Sequence, residues 1–293
     1  MKAKIRAFIE LMRPANVITS LTDVLAGMSI VGFLFNLIDL NSVLFLGIST
    51  MCLYAGGVVF NDVFDHDLDK TERPERALPS GRILKSEAIL GGILLLSTGI
   101  FCAFWHSSLS GFITIIISIC ALFYDWKGKH MSIFGPINMG MCRAFNLLLG
   151  MSVYEIGTFT YAYLILIPLI YIAAITLVSR GEVHGGTPKT LLFALFLFLI
   201  VHVCQIYFAY KFGHLYLALP FIATHFYLIF NKLYVAIKNP IGPNIGKTVK
   251  TGVLTLILMN AAWVSLSGQW EMAIFVVLLL PVSIQLGKKF AVT

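Results

Sequence analysis

Ten apolar runs follow one another along the chain with only short polar links between them. They cover residues 16–36, 42–60, 86–105, 110–124, 135–154, 159–178, 190–210, 215–231, 249–266 and 270–287. A helix needs about 20 apolar residues to cross the hydrocarbon core of a bilayer, and a backbone in lipid must satisfy its own hydrogen bonds. Strands of a membrane barrel would alternate in polarity over about 10 residues, whereas these runs are continuous. The pattern therefore predicts an all-α integral membrane protein, a bundle of nine to ten transmembrane helices in a single domain over residues 1–293. Run 110–124 is the weakest. Only 12% of residues are charged, against about 25% in an ordinary globular domain, which excludes a soluble enzyme, a charged coiled coil and a disordered chain.

The few charges are sharply sorted. With ten spans, one face collects Lys2, Lys4, Arg6, Arg13, Lys70, Arg73, Arg76, Arg82, Lys85, Lys127, Lys129, Arg180, Lys189, Lys232, Lys238, Lys247, Lys250, Lys288 and Lys289. The opposite face receives Lys211 with Asp39, Glu155 and Glu271. Basic residues mark the cytoplasmic side, so both termini and the long loops are expected there. The net charge of +7 then reports topology, and no nucleic-acid partner is implied. The basic, amphipathic N-terminus lacks a small-residue cleavage site and is not expected to be a removable signal. The five cysteines lie in apolar runs without ligand spacing and read as small hydrophobes.

The chemistry concentrates after the second run, in Asn61-Asp-Val-Phe-Asp-His-Asp-Leu-Asp69. If the helix continues past the apolar residues, Asp62, Asp65 and Asp69 share one face. Three like charges there call for a cation, and oxygen donors without His or Cys favour Mg²⁺. An EF-hand loop is excluded, because Lys70 and Arg76 stand where Gly and Glu are needed. Arg73, Arg76 and Arg82 follow at once, and guanidinium groups beside a metal suit a diphosphate. A solvated acidic loop is the bland alternative.

These residues carry a resemblance. Asn61-Asp62-x-x-Asp65-x-x-x-Asp69, then Arg73-Pro74 and Leu78-Pro-Ser-Gly-Arg82, is similar to the first signature of UbiA-type intramembrane prenyltransferases. Arg13-Pro14 with Asn16, and the stretch from Tyr124-Asp125-Trp126-Lys127 to Gly150, extend it over most of the chain. The resemblance implies a helical bundle that joins a prenyl diphosphate to an aromatic or other lipid-pathway acceptor. It also implies that Asn61, Asp62, Asp65 and Asp69 hold Mg²⁺–diphosphate, while Arg73, Arg82 and Lys127 neutralise phosphate oxygens.

One departure stands out. Where such proteins carry a second acidic motif, this chain reads Ser179-Arg-Gly-Glu-Val-His-Gly-Gly186, with Glu182 as its one acid; the string resembles the UbiA-like subgroup named EboC. Glu182 is expected to act as a metal ligand and catalytic carboxylate with Asp62, Asp65 and Asp69, and Arg180 as a substrate-binding cation. The alternative is a UbiA-like protein that binds or transports a prenylated or diphosphate ligand without turnover. Within the spans, Asp23 is expected to face substrate, with a structural hydrogen-bonded pair as the alternative, and Arg143 to pair with it or reach the diphosphate. His202 and His225 read as packed residues. Gly242-Pro-Asn-Ile-Gly-Lys247-Thr is one residue short of a P-loop.

Overall fold

The computed structural model describes residues 2–33 and 39–290, and every regular element among them is helical. The N-terminal helix α1 (Lys2–Met12) is followed by α2 (Pro14–Met28), which a π-helical turn prolongs to Phe33. Residues 34–36 of the first expected run lie outside the described residues. Next come α3 (Leu40–Phe64), the short α4 (His66–Glu72), α5 (Lys85–His106), α6 (Ser108–Trp126) and α7 (Phe134–Met151). The series ends with α8 (Glu155–Tyr161), α9 (Leu166–Ser179), α10 (Pro188–Lys211), α11 (Leu215–Lys238), α12 (Gly242–Leu266) and α13 (Trp270–Lys289).

Among the described residues nine helices are long and apolar enough to cross a membrane, with α8 and α9 forming one span through a 3₁₀ turn. The weakest expected run, in α6, is one of the nine, whereas α7 is not. The reason is composition: α7 places Asn138, Arg143 and Asn146 within 18 residues, all buried. From Arg143 to Met151 every residue of α7 is buried or partly buried inside the bundle. The protein is thus a multi-pass membrane protein whose ten expected runs all fall on helices.

Helix ends follow local chemistry. Asp39 caps α3 by accepting from the Ser42 N–H at 2.7 Å, Ser107 caps α6 through Ser110 N–H, and Thr187 caps α10 ahead of Pro188. Each satisfies one of the backbone donors orphaned at a helix start.

Burial separates an inner set from an outer one: 89% of the α2 window and 78% of the α12 window are buried, against 17% for α13. The outer helices present large apolar side chains such as Phe193, Phe196 and Leu278 outward, where lipid would cover them. The α2–α7 contact is very close. A Cβ on Gly27 would lie 2.8 Å from the Met151 nitrogen, and one on Gly150 would lie 2.8 Å from the Val24 carbonyl carbon. Only glycine lets these backbones meet.

Successive membrane-spanning segments alternate direction, so the links fall on two faces. One face joins the start of α2 to the end of α3 (Arg13–Asp62, 2.6 Å) and the 180–186 turn to the start of α12 (Gly186 N–H to Pro240 O, 2.9 Å). It also joins the end of α13 to the start of α2 (Ser283 Oγ to Ala15 O, 2.7 Å). The first and last membrane spans, α2 and α13, therefore meet, with the start of α2 and the end of α13 on this face. Helix α1 lies there too, packing Ala7 and Leu11 against Val59, Val63, Ala77, Leu78, Ile83 and Ala88.

Candidate functional site

A cavity of about 410 Å³ opens among α2, α3, α4, α6, α7, α9 and α12. Its polar end is made by Arg13, Asn61, Asp65, Asp69, Glu72, Arg73, Arg76, Asp125 and Glu182. Its body is apolar, lined by Leu53, Ile117, Ile172, Ile175, Val253 and Leu256. Arg143, Asn146, Ser20, Thr50 and Tyr54 form a second polar zone. On α3, Thr50 and Tyr54 of that zone lie about 10–17 Å from Asn61, at 1.5 Å per residue.

The acidic motif does not run as one helix face. Helix α3 ends at Phe64, and Asp65 (φ −85°, ψ 2°) turns the chain into α4. Asp65 and Asp69 consequently face the cavity, while the buried Asp62 turns toward Arg13 at 2.6 Å and Arg76 at 3.4 Å. Arg76 also holds Asp69 at 2.8 Å, and Lys129 pairs with Asp65. The expectation that all three carboxylates share a face is corrected: sequence spacing was right, but two arginines draw Asp62 aside. Arg13 pays a conformational cost in doing so, as the one non-glycine among the described residues with positive φ, at 47°; such strain costs roughly 1–3 kcal/mol.

Among the described residues no three His, Cys, Asp or Glu side chains converge as a metal-holding group. The motif carboxylates are closed on arginine and lysine instead. The donor set nevertheless fits a hard cation: Asn61, Asp65, Asp69, Glu72 and Glu182 all line the same cavity and offer only oxygen and amide groups. Glu182 sits in the 180–186 turn, outside the spans, with no side-chain hydrogen bond to another side chain among the described residues. Burial pushes its carboxyl up from the ordinary glutamate value, and the Arg73 charge opposes that rise.

Several expected residues stand elsewhere. Arg82 is exposed and bound to Glu10, Ser80 and the Glu75 carbonyl. Lys127 lies over the Trp126 ring at 4.3 Å, because the 3₁₀ turn Gly128–His130 carries Lys129, not Lys127, back to the motif. Arg180 donates to the Met131 and Ser132 carbonyls, tying two loops together outside the cavity wall. Asp23, 1% exposed, does not line the cavity. It accepts from Arg143 (2.6 Å), Asn146 (3.0 Å) and Asn260 (2.7 Å), which is the structural pairing rather than the substrate-facing role. Arg143 itself reaches the cavity wall, bonded also to Thr19 Oγ1 at 2.7 Å and set 4.9 Å from the Tyr54 ring centroid.

The roles of four other lining residues, and of Lys129 behind Asp65, lay beyond the sequence. Arg76 was visible as one basic residue among several, without a sign that it would bridge two motif aspartates. Asp125 and Lys129 carried the usable signal of lying just after a span within a polar stretch. Tyr54 and Cys142 gave none, being apolar-run residues like many others. His202 and His225 are packed, as expected: both are buried, with ring centroids 4.8 Å apart, and His225 Nε2 meets the Tyr171 hydroxyl at 3.1 Å.

The sequence pattern of the UbiA prenyltransferase family matches residues 24–292. Digeranylgeranylglyceryl phosphate synthase from Methanothermobacter thermautotrophicus is 29% identical over 143 residues, 49% of each chain. The same-named protein from Thermococcus kodakarensis is 32% identical over 155 residues, 52% of this chain and 54% of that one. The chain spans about half the length of these curated relatives. In fold it is similar to a UbiA homolog from Aeropyrum pernix K1, with a TM-score of 0.68 at 14% identity over 84% of this chain and 96% of that one. A UbiA homolog from Archaeoglobus fulgidus bound to GPP and Mg²⁺ gives a TM-score of 0.61 at 13% identity over 90% and 99%.

Proposed function

Because the chain belongs to the UbiA prenyltransferase family, we propose that it is an intramembrane prenyltransferase, moving a prenyl group from a prenyl diphosphate to a small lipid-pathway acceptor with Mg²⁺. The observation that carries this reading is the two-natured cavity: a polar end rich in carboxylates and guanidinium groups, continuous with an apolar body. A diphosphate fits the first and an isoprenoid chain the second.

Asn61, Asp65 and Asp69, with Glu182 across the cavity, would hold the metal, and Asp62 anchors the arginines beside it. When bound, Mg²⁺ supplies charge that stabilises the departing diphosphate. Arg73 and Arg76 would take phosphate oxygens that the metal leaves free, Arg76 exchanging its hold on Asp69 for the anion. The allylic C–O bond breaks with its electron pair leaving on the diphosphate. The acceptor's hydroxyl or electron-rich carbon then bonds the allylic carbon and surrenders its proton to the oxygens released beside it. Leu53, Ile117, Ile172 and Ile175 exclude the water that would otherwise capture the cation. Arg143, neutralised by Asp23, would meet polar atoms of the acceptor in the second polar zone without repelling that cation.

The relatives' names favour a prenylated glyceryl phosphate as acceptor, whereas the EboC-like 179–186 string implies no particular acceptor. The mouth and both termini are read as cytoplasmic, since Lys127, Lys129, Arg180, Lys238, Lys247 and Lys288 all belong to this face. Purified protein, Mg²⁺, labelled geranylgeranyl diphosphate, and either geranylgeranylglyceryl phosphate or a phenolic acid make the test. Diphosphate release with a prenylated product, abolished in Asp69→Asn, is expected. Tight diphosphate binding without release would overturn catalysis in favour of a binding or transport protein.

A further inference from the structure

Asp125 closes α6 as a buried carboxylate on the cavity wall, 5% exposed, and among the described residues it has no ion-pair partner within 4 Å. Its bond is to a neutral group: Asn61 Nδ2 donates to Asp125 Oδ1 at 2.8 Å, across 64 residues of sequence. With its Oδ1 accepting, Asp125 takes up the NH₂ end of the Asn61 amide. A free asparagine amide can turn over and present either atom. Held by Asp125, Asn61 must direct its oxygen the other way, and Asn61 itself lines the cavity between Val58 and Asp65.

We propose that Asp125 is a positioning residue of the site, locking the Asn61 amide so that its oxygen serves as a ligand for the divalent cation. This rests on the functional reading above and deepens it. The neighbouring acids are each held by a cation, Asp65 by Lys129 and Asp69 by Arg76; Asp125 stands apart by holding a ligand in place instead. Outer-sphere partners of this kind are worth about 10–100-fold in metal affinity.

The test is a double-mutant cycle read by binding rather than turnover. Mn²⁺ is titrated by electron paramagnetic resonance into wild type, Asp125→Ala, Asn61→Ala and the double variant, each with geranylgeranyl thiolodiphosphate. Asp125→Ala is expected to weaken Mn²⁺ binding about 10–100-fold in the wild-type background, and by less than twofold once Asn61 is alanine. Asp125→Asn, whose amide can still accept from Asn61 but no longer enforces its orientation, is expected to fall between; it also serves if the alanine variant does not fold. Equal losses in both backgrounds, or no loss in the first, would overturn the inference while leaving the prenyltransferase reading intact. Wild-type protein that binds neither Mn²⁺ nor the analogue would overturn both.

Discussion

Replacing Asp23 by asparagine tests whether the second polar zone is held by charge or by hydrogen bonds alone. Asp23 accepts from three donors on two other helices: Arg143, Asn146 and Asn260. Hydrogen bonds between membrane helices average about 0.6 kcal/mol, so three lost bonds amount to about 2 kcal/mol at most. Arg143 and Asp23 side chains, however, are 7% and 2% exposed, and removing one partner of a buried pair costs about 3–5 kcal/mol because a charge is stranded. The charge term is the larger, and asparagine retains one acceptor while losing all of it. Asp23→Asn is therefore expected to destabilise the protein by about 3 kcal/mol or more. Near 2 °C per kcal/mol for a chain this size, that is a fall of about 6 °C or more in Tm. The assay is thermal unfolding in detergent, with Arg143→Leu and the double variant Asp23→Asn/Arg143→Leu alongside. The double variant should recover part of the loss, since no charge is left unpaired. A Tm change below about 2 °C for Asp23→Asn, or a double variant less stable than the sum of both singles, would refute the reasoning.

Three further outcomes are expected. Lys129→Ala should lower diphosphate release about 100–1,000-fold, as removal of one charge-stabilising donor does, while Lys127→Ala stays within about threefold, both read by the same diphosphate assay. Glu182 has a folded-state carboxyl raised by burial, so its protonated form is favoured on folding. The ligand-free protein should gain that contribution below the ordinary glutamate range and lose it as pH rises through the elevated value; Tm against pH should flatten in Glu182→Gln, and an unchanged slope would count against it. Gly150→Ala should cost about 1–3 kcal/mol by forcing α2 from α7, and a wild-type melting temperature would show that the helices can part freely.

The helices were legible because apolar length alone decides what crosses a bilayer. The side of each run that faces inward was not, since several runs are apolar all round and carry no stripe to orient them. The polar motif announced the site through the spacing of Asp62, Asp65 and Asp69. What spacing could not convey was the pull of Arg13 from 49 residues away, nor a turn at Gly128 that exchanges the places of Lys127 and Lys129. Asp23 shows the same limit from the other side. A carboxylate in a span signals a partner, yet whether that partner is substrate or Asn260, 237 residues later, is decided only by packing.

That separation has a consequence for how the chain is made. Synthesis delivers residues at roughly 5–20 per second, so Asp23 enters the membrane well before its partners exist. Arg143 follows 120 residues later, about 6–24 s at that rate, and Asn260 takes roughly twice as long. Until then α2 carries an acid that none of its three later partners can meet. The Ser283–Ala15 contact closes later still, when α13 arrives against α2. Assembly of this bundle is thus gated by its C-terminal quarter, and a ribosome stalled before α12 should leave α2 extractable from the membrane while the later helices stay inserted.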